Sequence, residues 1–81
     1  MTTREKINNL KLGDTVTRML AGTLSMPVVI QTIEEDIIIC GSPDGFITGR
    51  EGWTFNKDTG AEVDKDLGWD GITKTGSYLK L

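Results

Sequence analysis

Short runs of apolar and β-branched residues alternate along the chain with glycines and acidic turns. Thr15-Val16-Thr17-Arg18-Met19 has the threonine and valine content of an extended strand, and Ala21-Gly22-Thr23 marks a turn after it. From Met26 to Ile33 the residues Val28, Val29, Ile30, Thr32 and Ile33 predict a second strand, with Pro27 near its start or on an edge because proline cannot donate a ladder hydrogen bond. Glu34-Glu35-Asp36 reads as a charged turn, and Ile37 to Cys40 is too short for a helix, so strands two and three form a hairpin. Residues 41–52, rich in glycine and holding Pro43, read as a long loop. Trp53-Thr54-Phe55 and Ala61-Glu62-Val63 flank Asn56-Lys57-Asp58-Thr59-Gly60, whose order suits a turn ending in a left-handed glycine. Gly68-Trp69-Asp70-Gly71 reads as a second loop, and Ser77-Tyr78-Leu79-Lys80-Leu81 as a closing strand.

The pattern predicts an all-β fold, a small barrel of about five short antiparallel strands. Its core is expected to hold Val16, Met26, Val28, Ile30, Ile38, Cys40, Trp53 and Phe55. Residues 1–9 are polar apart from Ile7, and Asn8-Asn9 would end any helical turn quickly, so they read as a flexible leader to a single domain over residues 10–81. The second and third strands are apolar on successive residues, which implies cover on both faces, one by the core and one by a loop or a second copy in a homodimer.

Eighty-one residues make one small domain with a thin core. The single cysteine, Cys40, allows no internal disulfide, and no stretch has the length or apolarity of a membrane span or a signal segment. A cytoplasmic protein with no membrane contact is the expectation. Twelve acidic against nine basic residues give a net charge of −3, which opposes phosphate backbones unless the cations are segregated. Residues 1–20 lean basic and residues 51–70 lean acidic.

Candidate chemistry is sparse. With no histidine and one cysteine, histidine-dependent nucleophilic triads and histidine or thiolate zinc sites are unavailable. Cys40 follows three isoleucines and reads as a small buried hydrophobe. The glycines of residues 41–52 are not followed by the Gly-Lys-Ser/Thr of a phosphate loop, and an EF-hand frame begun at Asp64 places Trp69 where its glycine belongs. No catalytic residue, metal site or cofactor is expected. The contact candidates are Phe46, Ile47, Trp69 and Tyr78, which would form an aromatic groove for a protein or peptide if they met on one rim. The alternative is a nucleic-acid-binding barrel using Lys11, Arg18 and Arg50 on phosphates, and the weakest is an enzyme using Asp64 and Asp66 as acid and base.

Gly13-Asp14-Thr15-Val16, Gly22, Met26-Pro27-Val28 and Ile38-x-Cys40 together resemble the pattern of the small YodC-like bacterial proteins. The resemblance covers residues 13–40 and Trp53. It implies an SH3-like barrel of uncharacterised function and adds no catalytic residue. Residues 41–52, which separate Cys40 from Trp53, and the acidic hairpin with Gly68-Trp69 depart from that pattern. The expected function is therefore a non-enzymatic binding or adaptor module with a protein or peptide partner.

Overall fold

The computed structural model describes residues 1–45, 52–73 and 76–81. Within them the chain forms α1 (Thr3–Asn8), β1 (Thr15–Leu20), β2 (Leu24–Ile33), β3 (Ile37–Gly41), β4 (Trp53–Asn56), β5 (Glu62–Asp64), β6 (Trp69–Asp70) and β7 (Ser77–Lys80). The strands make one curled antiparallel sheet in the order β6-β5-β4-β3-β2-β1-β7. The all-β expectation holds, with seven strands where about five were expected. One addition is β6, whose Gly68-Trp69-Asp70-Gly71 sequence has the composition of a loop. Trp69 nevertheless pairs with Asp64, and Asp70 with Val63.

Local chemistry explains most of the strand boundaries. Ala21 (φ 53°) and Gly22 (φ 72°) both take positive φ in the β1–β2 turn, the mirror-image geometry that matches strand twist. Thr23 N–H closes that turn on Leu20 O at 3.2 Å. β2 and β3 form the expected hairpin around residues 34–36, with a register shift between Ile30 and Thr32. The β4–β5 turn ends as its sequence indicates: Gly60 is at φ 75°, and its N–H donates to Asn56 O at 2.8 Å.

The sheet curls until its ends approach. β7 pairs with β1 from Thr17↔Lys80 to Leu20↔Ser77. On its other side Tyr78 bridges Ala61, and Leu79 N–H donates to Gly60 O at 2.8 Å. The enclosed core contains Ile7, Val28, Ile30, Ile38, Cys40, Phe55 and Leu79, with Leu10, Val16 and Trp53 packed against it. Met26, expected in this core, is half-buried and lies outside it.

The expected leader differs most. Thr2 caps α1 reciprocally with Glu5, and Ile7 is fully buried. Burying one isoleucine side chain is worth about 1.5–3 kcal/mol, enough to dock a helix too short to persist alone. Arg4 reaches the carboxylates of Asp36 and Asp58 and the carbonyl of Glu35, while Lys57 Nζ donates to Asn8 Oδ1 at 3.2 Å. These contacts lay α1 across the β2–β3 and β4–β5 turns.

Candidate functional site

The most distinctive chemistry lies on the inner face of the sheet. Arg18 stands at the middle of β1, flanked on the same face by Val16 and Leu20, and is only 6% exposed. Its Nε donates to Glu62 Oε1 at 3.0 Å and to Ser77 Oγ at 2.9 Å, and its Nη2 donates to Glu62 Oε1 at 2.8 Å. Nη1 lies 3.4 Å from the sulfur of Met26, and the guanidinium sits 4.8 Å from the centre of the Trp53 ring. One cation thus gathers side chains from β1, β2, β4, β5 and β7.

Glu62 and Ser77 are as buried as Arg18. Glu62 is directly opposite Phe55, so the strand that delivers the carboxylate is anchored by the largest fully buried side chain. Among the described residues no buried side-chain nitrogen or oxygen lacks a partner. The arrangement is self-satisfied: Arg18 presents its charge to a carboxylate, a hydroxyl, a thioether and an aromatic face.

Arg18 in that setting is no surface phosphate contact, because freeing it would leave Glu62 buried and unpaired. Lys11 is exposed, and its backbone N–H donates to Asp14 Oδ2 at 2.8 Å. Phe46, Ile47 and Arg50 lie outside the described residues. Trp69 and Tyr78 do not share a face. Trp69 is opposite Asp64, on the inward side of β5 with Glu62, and its ring rests on Gly76, where a Cβ would come within 2.1 Å of Trp69 Cε2. Tyr78 alternates with the buried Ser77 and Leu79 and points to the outer face.

The remaining candidates are structural. Asp64 ends β5, and its Oδ1 accepts the N–H groups of Asp66 (3.0 Å) and Leu67 (3.3 Å), so it caps a turn. Asp66 lies in that turn, not on the strand, so the two carboxylates are not mounted on one strand face. Asp70 accepts from Thr73 N–H and Ile72 N–H, which hold its carboxyl below the usual range. Burial, and behind it the charge of Glu62, pushes the Cys40 thiol up to about 12. Among the described residues no cluster of three or more His, Cys, Asp or Glu side chains could hold a metal ion.

The signal for the Arg18 cluster was present in the strand alternation. Val16-x-Arg18-x-Leu20 interrupts an apolar face with a cation, and Glu62 places an anion in a short strand between the apolar Ala61 and Val63. The partnership itself is not local, since the two residues are 44 positions apart. No family model, curated protein or solved structure matches the chain.

Proposed function

We propose that the chain is a non-enzymatic binding module whose partner is a protein or peptide. The observation that carries this reading is how the arginines are used. Both described arginines, Arg4 and Arg18, are held by carboxylates of the same chain. Neutralised in this way, they offer little to a phosphate backbone. In contrast, Leu67 and Ile72, on either side of β6, are 59% and 68% exposed, and apolar side chains of this size suit a protein contact. The resemblance to YodC-like proteins belongs to the same proposal. Its motif residues have fold roles here: Gly13 takes φ 89°, and Gly13 N–H donates to Ile30 O at 2.8 Å at the entry to β1.

Affinity capture from a native lysate tests this reading. The wild type is run beside a Leu67→Ser, Ile72→Ser variant, which leaves the buried core untouched, and bound protein and bound nucleic acid are both analysed. Protein recovered by the wild type and lost by the variant is the expected result. Salt-sensitive nucleic acid recovered equally by both overturns it.

A further inference from the structure

We infer that the Arg18 cluster is a closure clamp, which holds β7 between β1 and the start of β5 and so selects the closed sheet over one with β7 released. The fastening of β7 is uneven. It has a continuous register with β1, but on its other side the backbone contacts among the described residues are the Ala61–Tyr78 bridge and the bond from Leu79 N–H to Gly60 O. Arg18 spans that seam with its side chain. It leaves β1 and bonds Ser77 at the start of β7 and Glu62 at the start of β5.

Net stability is a poor account of such a pair. Removing two charges from water is costly, and apolar side chains of similar volume often serve as well or better. Directionality is a better account. Arg18 is opposite Leu79 in the β1–β7 register, and its Nε bisects Glu62 and Ser77 at 3.0 and 2.9 Å. A slip of β7 along β1 would take Ser77 away from Arg18, and loss of the seam would separate Arg18 from Glu62. The first costs Arg18 its hydroxyl acceptor and the second leaves a buried charge without its partner, whereas an apolar pair would tolerate both.

The test is amide hydrogen exchange on the wild type and on Arg18→Met, Glu62→Leu, a double variant that keeps the volume and removes both charges. Leu79 N–H, bonded to Gly60 O, reports closure, and Ile30 N–H, bonded to Asp14 O at 2.9 Å, reports the rest of the sheet. The expected result is that protection at Leu79 falls at least about tenfold relative to Ile30. Protection that falls by one common factor at both amides, or at neither, overturns the clamp. Failure of the double variant to fold overturns it too, because the pair would then be the fold's main support and not its selector.

Discussion

At the scale of single residues, burial decides which side chains keep their ordinary chemistry. Cys40 sits opposite Trp53 and Ile30, fully buried, so its thiolate is strongly disfavoured in the folded state. Its pKa is raised from 9.0 to about 12, so its contribution to stability is full below 9.0 and is lost as pH rises through 12. Between those values the unfolded chain has released a proton that the folded chain retains, and stability falls by up to about 1.4 kcal/mol per pH unit. Alkaline denaturation followed by tryptophan fluorescence checks this, with Cys40→Ala expected to flatten the slope in that window. The folded protein should also leave Cys40 unmodified by a thiol reagent until denaturant is added. Ala21 is the reverse case, an ordinary residue in an unusual conformation. At φ 53° its Cβ is strained, so Ala21→Gly should be neutral or stabilising by up to about 1 kcal/mol, against the usual direction for that substitution. Urea denaturation would show it, and a loss above 1 kcal/mol would remove the strain argument.

At the scale of elements, strands were legible where a run of β-branched residues met a strong turn. β2, β3 and the β4–β5 hairpin have both signals. β6 has neither, because two residues carry no periodicity and their glycine neighbours look like a loop; its place is fixed by pairing with β5 and by the Trp69 ring on Gly76. α1 was missed for a different reason. Its one apolar residue gives no helical stripe, and the remaining signal is the capping pair Thr2-x-x-Glu5. The helix is held by what it touches, so Ile7→Ala should cost about 2–5 kcal/mol, the range for emptying a core site. Chemical denaturation measures that cost, and a change below 1 kcal/mol would mean the helix is dispensable to the core. The Arg4 contact adds a pH signature. Arg4 holds the Asp58 carboxyl below its ordinary 3.8, so this contact contributes fully above that value and is lost as pH falls through the lowered one. Asp58→Asn should therefore weaken acid sensitivity below pH 4, and added salt should shrink the difference because the pair is exposed.

At the scale of the whole molecule, the question is whether one copy covers its own apolar surface. The β2–β3 hairpin, apolar on both faces in sequence, suggests a homodimer. In the structure the outward residues Val29, Ile37 and Ile39 are half-buried within a single chain, next to Thr15, Thr54 and Asn56 across the sheet. A stable dimer commonly needs about 800 Å² from each partner, roughly a sixth of this chain's 5030 Å². Three partly covered aliphatic side chains do not supply that area. Among the described residues the most exposed large apolar side chains lie off that face: Met1, Leu12 before β1, Leu24 opposite Leu20 at the β1–β2 turn, and Leu67 and Ile72 beside β6. Static light scattering is accordingly expected to give the mass of one chain, 8.9 kDa, at every concentration tested. A mass that doubles with concentration and returns to one chain in an Ile39→Lys variant would instead assign the hairpin face to a dimer. Monomer mass would leave the β6 side as an apolar surface available to a different molecule, the surface that the Leu67→Ser, Ile72→Ser variant removes.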